Sequence, residues 1–340
     1  MTKKIRTIMS GLGSVNGNLL AILEMKAERL KNQYGLEFVV VAAADSSGTA
    51  IAEKGLGIGQ LRKFKQSGGR LSDLPEGTTA QITETIKTIE SDLVLEGSPA
   101  NLKHGDPGLT VTRAALERGL TVVLANKAPL VLDYAGIQKL VKRHGGQLAF
   151  SATVCGPLPV VNIGTRDHVA ADITLFKGIL NSTSNFVLSE MGSGRSYDAA
   201  VAEAQRRGIA EADPTLDVEG WDTASKLVII ANSFLENPAS LGDVKVEGIT
   251  GISQADLGGA TAKGKTIKLL ATATKTDSKF TLIVHPTILE KTEFLAHCDS
   301  WEMGIEIHSD IYGKMFHKNR DRTPGPTAAA MLRDAVNLLR

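Results

Sequence analysis

Cysteine is scarce in this 340-residue chain: only Cys155 and Cys298 occur. They lie far apart, form no CxxC and have no histidine at zinc-ligand spacing, which argues against a structural zinc site and fits a reducing cytosol. Two such cysteines read as core residues rather than a redox switch. Neither charge dominates either, since 38 Lys and Arg stand against 37 Asp and Glu for a net charge of +1. Composition therefore gives no electrostatic reason to expect nucleic acid or an anionic membrane as partner. No uninterrupted apolar run approaches the roughly 18 residues of a membrane span. The opening "MTKKIRTIMSGLGS" has basic residues but no apolar segment before its glycines, so a cytoplasmic chain with nothing cleaved is expected. Internal repeats and low-complexity stretches are lacking too.

What is present has a clear rhythm. "KIRTIMSG" reads as a strand, "NLLAILEMKAERLK" as a helix and "EFVVVAAAD" as a buried strand ending at Asp45. After a Gly-rich, basic stretch read as a loop, "GLGIGQLRKFKQSGGR", the alternation resumes. "SDLVLEG", "TVVLAN" and "QLAFSAT" read as strands, and "VTRAALERG" and "GIQKLVKRHGG" as helices. This is the signature of an α/β chain with a Rossmann-like, doubly wound parallel sheet. Past residue 150 the pattern changes to longer strands, "DITLFKGIL" and "KFTLIVHPTIL", with helices expected near 184–191, 197–207, 219–235 and 260–274. That suits an α+β substrate and dimerisation domain. The expected division is 1–135, joined by a returning C-terminal helix at 322–340, for a dinucleotide-binding domain, and 136–321 for the second.

"GLGSVNGNLL" stands where a dinucleotide fingerprint belongs, between a first strand and its helix. Gly11 and Gly13 serve the tight turn and the close backbone approach to a pyrophosphate, whereas Asn16 replaces the third glycine. Asp45 ends the second strand, farther along than the usual spacing of roughly 20 residues. It reads either as an acceptor for an adenosine ribose or as a turn residue in "DSSG". No Arg follows it, which leans toward NAD over NADP. Arg62, Lys63 and Lys65 read as a solvated loop or as partners for a 2′-phosphate.

Residues 222, 226, 229, 230 and 233 share a helix face, so Asp222 and Lys226 lead directly into Ile229 and Ile230. Since "KLVIIA" is apolar nearly all round, that face is expected to be at least partly buried. A semi-buried lysine held by an acid can position a substrate hydroxyl or share its proton. Glu211, Asp213, Asp217 and Glu219 crowd the loop before this helix. Some cap it, and the rest suit a substrate bearing an ammonium group. Lys127, in "LANKAPL", follows a buried strand at its carboxyl end, where open α/β sheets bind ligands.

Seven blocks in order then resemble the homoserine dehydrogenases: "GLGSV", "ANKAPL", "SATVCGPLPVV", "GILNSTSNFVL", "GIAEADPTLDVEGWDTASKLVIIA", "GKTIKLLATA" and "GPTAAAMLRD". The resemblance implies reversible reduction of L-aspartate 4-semialdehyde to L-homoserine with NADH or NADPH, in threonine and methionine biosynthesis. It implies catalytic roles for Lys226, Lys127 and Asp222, and substrate binding by Glu211, Asp217, Thr183 and Ser182. Cofactor binding falls to Gly11, Leu12, Gly13, Ser14, Val15, Asn16, Asp45, Ser98, Asn126, Lys127, Gly325 and Thr327. It further implies a homodimer and a sodium ion held by the backbone carbonyls of Val154, Gly156 and Leu158.

This chain departs from the family pattern at Asn16, at Ser182 in place of Gly, at Ser151 in place of the Glu that helps hold sodium, and in "WEMGIEI". No ACT domain or fused kinase is expected after the last helix, and so no threonine feedback through one. Two rival readings accompany this one. One is a related oxidoreductase acting on another amino or hydroxy acid; the other is a non-catalytic nucleotide sensor.

Overall fold

The structure is a computed structural model and describes residues 2–320 and 325–340. β1 (Lys3–Ser10), α1 (Ser14–Tyr34) and β2 (Leu36–Asp45) follow the expected alternation, and β3 (Gly48–Ile51), α2 (Ile58–Gln66) and β4 (Gly77–Thr78) come next. They continue with α3 (Ile82–Thr88), β5 (Leu93–Glu96), α4 (Gly108–Glu117), β6 (Thr121–Leu124), α5 (Ala128–His144) and β7 (Gln147–Ala149). The sheet order is β4-β3-β2-β1-β5-β6-β7. β2, β1, β5, β6 and β7 run parallel, while β3 and β4 extend the β2 edge antiparallel. The order reverses between β1 and β5, and the crevice at the carboxyl ends of such strands is where open α/β sheets bind ligands.

The second half contains α6 (Val160–Asn162), β8 (Ile173–Ile179), α7 (Ser182–Gly192), α8 (Tyr197–Arg206), α9 (Thr215–Val218), α10 (Trp221–Ser233), β9 (Val244–Val246) and α11 (Gln254–Ala262). β10 (Lys265–Thr276), β11 (Lys279–Glu290), β12 (Glu302–Ser309) and β13 (Gly313–Arg320) follow, and α12 (Gly325–Leu339) closes the chain. Their sheet has the order β13-β12-β8-β10-β11-β9, antiparallel except where β9 joins β11.

The chain forms two compact units, and among the described residues the first runs through Gly156 and includes α12, while the second runs from Pro157 through Arg320. The expected boundary at 135 is corrected, because it cuts α5 and would separate β7 from its partner β6. Residues 322–324 of the expected last helix lie outside the described residues. α12 packs on α1, and Ala328, Met331, Ala335 and Val336 join Leu19, Leu20 and Leu23 in one apolar core. Full burial of each large apolar side chain contributes about 1.5–3 kcal/mol.

Two other expectations are overturned. Residues 265–274 form a strand, β10, instead of the end of a helix. β10 lies between β8 and β11, and Ile267 through Ala271 are all buried. A strand covered on both faces loses the alternation that distinguishes it from a buried helix, although Thr266, Thr272 and Thr274 are β-branched as strands favour. Conversely, the basic stretch read as a loop contains α2, whose Leu61 is buried beneath its charged residues. "WEMGIEI" turns out to lead into β12, where Glu302 pairs with Lys318 at 3.0 Å and Arg320 at 3.2 Å on β13.

Candidate active site and dinucleotide crevice

In the second unit, α10 is buried nearly all round, from Asp222 to Ser225 and from Leu227 to Ala231, which marks a core helix. One turn inside its N-terminus, Lys226 Nζ lies 2.7 Å from Asp222 Oδ2 and donates to the Leu180 carbonyl at 2.6 Å. Both side chains are nearly enclosed, at 14% and 10% exposure, so the ammonium is held by a carboxylate and a carbonyl in place of water.

Asn181 completes this arrangement, and sequence reading missed it. Its Nδ2 donates to Asp217 Oδ1 at 2.7 Å and Asp222 Oδ2 at 2.8 Å. Its Oδ1 caps α7 by accepting from the Ser184 amide at 2.8 Å. A single asparagine thus brings together the acid before α10, the acid within it and the start of α7. The signal was an Asn immediately ahead of "STSN", an ordinary N-cap preference, which says nothing about its long-range partners.

Ser182 opens α7 and is half-buried. Thr183 is buried, and its hydroxyl donates to the Ile209 carbonyl at 3.1 Å. Glu211 lies exposed two residues farther along that loop. α7 is also anchored at Asn185, whose Nδ2 reaches the carbonyls of Cys298, Ser300 and Glu302 at 3.0–3.2 Å. The buried Lys268 donates to Asn185 Oδ1 at 3.0 Å and to the Cys298 carbonyl at 2.7 Å. Among the loop acids, Asp213 serves as a local cap: it accepts from the Thr215 amide and hydroxyl, which hold its carboxyl below the ordinary value.

In the first unit, Gly11, Leu12 and Gly13 form the turn from β1 into α1. The Gly11 and Leu12 amides are pinned to the Ala44 carbonyl at 3.0 and 3.1 Å. Gly11 has φ 78°, and a Cβ there would stand 2.5 Å from the Ser98 Cα, so only glycine fits. Ser14, Val15 and Asn16 are the first residues of α1, and no side chain caps its N-terminus. Their amides, with the positive end of the helix dipole, suit an anion.

Asn16 resolves the missing third glycine. Fully buried, it donates from Nδ2 to the carbonyls of Ser10 and Gly11, both at 3.0 Å. The room comes from the facing loop: a Cβ on Gly97 would stand 2.8 Å from Asn16 Nδ2. The small residue has moved from the helix to the opposing β5 turn.

Asp45, at the end of β2, is heavily engaged. Oδ1 accepts from the Ser47 amide at 2.8 Å and its hydroxyl at 2.5 Å; Oδ2 accepts from the Leu71 amide at 3.3 Å and pairs with Lys65. Burial alone would raise this carboxyl, but the bonds from Lys65, Ser47 and Leu71 outweigh it and hold the group below its ordinary value. Of the three basic residues expected in a loop, Lys65 is on α2 and joined to Asp45, while Arg62 pairs with Glu24 at 2.8 Å. A cavity of about 490 Å³ lies beside Gly11, Asp45, Ser47, Ser98, Asn101 and Pro107.

Ser98 and Asn126 meet at the ends of β5 and β6, where Asn126 Nδ2 lies 3.2 Å from Ser98 Oγ. Asn126 Oδ1 also accepts from the Ala128 amide at 2.9 Å, which orients the chain around half-buried Lys127 at the start of α5. Gly325 and Thr327 lie in the first turn of α12, with Thr327 against Gly156. Val154 and Leu158 are buried. Ser151 has its hydroxyl against the Arg333 guanidinium, and its amide donates to Asp334 Oδ2 at 2.9 Å.

Known proteins resemble this chain in sequence and fold. A family model described as homoserine dehydrogenase matches residues 159–336. A protein named homoserine dehydrogenase from Methanocaldococcus jannaschii is 34% identical, over 97% of both chains. One named NAD(+)-dependent homoserine dehydrogenase, from Pseudomonas canavaninivorans, is 32% identical over 96% of this chain and 94% of its own. The crystal structure of homoserine dehydrogenase from Thermoplasma acidophilum superimposes with a TM-score of 0.86 at 27% identity, covering 99% of each chain.

Proposed function

The chain belongs to the homoserine dehydrogenase family, and we propose that it interconverts L-aspartate 4-semialdehyde and L-homoserine with NAD(P)(H), in the route to threonine and methionine. The observation that carries the reading is the Lys226 ammonium enclosed between Asp222 and the Leu180 carbonyl, with Asn181 joining Asp222 to Asp217.

A bound nicotinamide would supply or accept the hydride, and the protein's own task is orientation and charge. Lys226 provides the proton and the positive charge for the alkoxide that develops on reduction. Asp222 keeps that lysine cationic and oriented, and Lys127 is the second lysine assigned to proton transfer. Asp217 and Glu211 receive the substrate ammonium, while Ser182 and Thr183 lie along its backbone. The residues of the first unit fit a dinucleotide: an uncapped helix N-terminus for the pyrophosphate, and Asp45, which lines the cavity and is joined to Lys65, for the adenosine ribose.

Asp45 and Lys65 together bear on cofactor choice. The carboxylate suits a ribose diol and the ammonium suits a 2′-phosphate, so both NAD and NADP are accepted in this reading. A sodium ion forms no part of it. The side chain at 151 is a hydroxyl held by a guanidinium, which places positive charge beside the position of the expected carboxylate.

A homodimer through the sheet of the second unit is also proposed. It is supported by apolar exposure at Ile311, Tyr312 and Phe316, and light scattering of the purified protein tests it. A cytoplasmic location accords with the biosynthetic role, and no helix of the described residues is long and apolar enough to cross a membrane.

The deciding experiment follows absorbance of the reduced nicotinamide with L-homoserine and NAD or NADP in parallel. Homoserine-dependent growth of absorbance is expected with each cofactor. Cofactor binding without turnover on homoserine or the semialdehyde would overturn the substrate assignment.

A further inference from the structure

Glu96 ends β5 with no exposed surface, at the reversal point of the sheet between β1 and β5. Its Oε1 accepts from the Ser98 amide at 2.9 Å and from the Ser98 hydroxyl, and Asn126 Nδ2 lies 3.4 Å away. The Ser10 hydroxyl, at the end of β1, also bonds to this carboxyl group. One carboxyl group thus touches the ends of three neighbouring strands, β1, β5 and β6, where they meet the fingerprint turn. Burying an ionised carboxylate is expensive, and a plain apolar side chain would fill the same space without that cost.

We propose that Glu96 is a positioning residue of the dinucleotide site, holding the Ser98 hydroxyl and the Asn126 amide in register with Gly11 of the fingerprint turn. This rests on the reading of the first unit as a cofactor domain. Gly11 approaches Ser98 so closely that a Cβ there would lie 2.5 Å from the Ser98 Cα, so any shift of Ser98 is felt in the turn. Asn126 passes the constraint on to the start of α5 through the Ala128 amide.

Burial pushes the Glu96 carboxyl up, against the opposing bonds from Ser10, Ser98 and Asn126. The neutral acid retains Oε1 as an acceptor and offers one O–H donor. Glutamine keeps both functions, a carbonyl acceptor for Ser98 and an N–H donor in place of the acid's O–H.

The test is the dissociation constant of NADH and NADPH, read from nucleotide fluorescence, together with the KM for L-homoserine and thermal stability. Glu96→Ala is expected to weaken both cofactors about tenfold, a change of about 1.4 kcal/mol, with the homoserine KM unchanged. Glu96→Gln should bind them within about threefold of the parent, about 0.6 kcal/mol on the same scale. Parent-like affinity in Glu96→Ala overturns the proposal, and so does equal weakening by Ala and Gln. If Glu96→Ala does not fold, Ser98→Ala, which deletes the hydroxyl that Glu96 holds, should raise the constant severalfold; an unchanged value there is equally fatal. Failure of the parent protein to bind either nucleotide would instead sink the cofactor-domain reading itself.

Discussion

Asn16 and Gly97 are complementary: the buried amide of the first occupies space that a side chain on the second would fill, at 2.8 Å from its Nδ2. Besides Ser10 and Gly11, that amide approaches the Leu95 carbonyl at 3.4 Å, so it joins the fingerprint turn to β5. Gly97→Ala should therefore destabilise the fold by about 1–3 kcal/mol through overpacking. Combining it with Asn16→Gly should recover part of that loss, because the two changes share one contact. Denaturant unfolding of both single variants and the double variant measures the coupling; strict additivity would show that the contact carries no weight.

Lys226→Ala should reduce kcat for homoserine oxidation by about 10²–10⁴, the range for a lost proton-transfer group. Its cofactor dissociation constant should match the parent's. Asp222→Asn should also lower kcat, since it removes the carboxylate 2.7 Å from Lys226 Nζ. Steady-state kinetics alongside nucleotide binding separate this from general damage, which would impair both.

Lys65→Ala should lower kcat/KM for NADP by roughly ten- to a hundredfold, as one charge-assisted hydrogen bond is worth about 1.5–3 kcal/mol. The value for NAD should hold or improve, because Asp45 is released from its partner. The ratio of the two specificity constants is the readout, and an unchanged ratio would remove Lys65 from cofactor selection.

Asp45 also gives a pH prediction. Its folded-state pKa lies below the ordinary 3.8, so its contribution to stability is fully present above that value and fades as pH falls through the folded value. Asp45→Asn should flatten the acid limb of a stability profile below about pH 4 and change its shape little near neutrality. Calorimetry of the two proteins across pH would reveal it.

Cys298 is buried, and burial pushes its thiol up to about 11. It should resist alkylation at neutral pH in the native protein, because the thiolate is the reactive form. Iodoacetamide labelling followed by mass spectrometry should find it modified only after denaturation; rapid native labelling would contradict the enclosure.

The β1-α1-β2 unit was legible because hydrophobic period and a glycine turn are local properties, and α10 because its apolar run is long. β10 was not, since a strand buried on both faces carries no alternation to read. The same limit governs the site. Lys226 and Asp222 sit one helical turn apart and so could be paired from their spacing, whereas Asn181 reaches Asp217 and Asp222 across a long separation in the chain. Lys65 likewise read as one more basic residue until the fold brought it to Asp45.

By itself the sequence determined the alternating architecture, the fingerprint turn and the Asp222–Lys226 pair, because each depends on residues within a few positions of one another. The tertiary structure alone decided that Gly97 makes room for Asn16, that Asp45 is joined to Lys65, and that Glu96 binds three strand ends together. Those relationships depend on which strands become neighbours, and strand order is set by the burial of whole elements, which no short stretch of chain encodes.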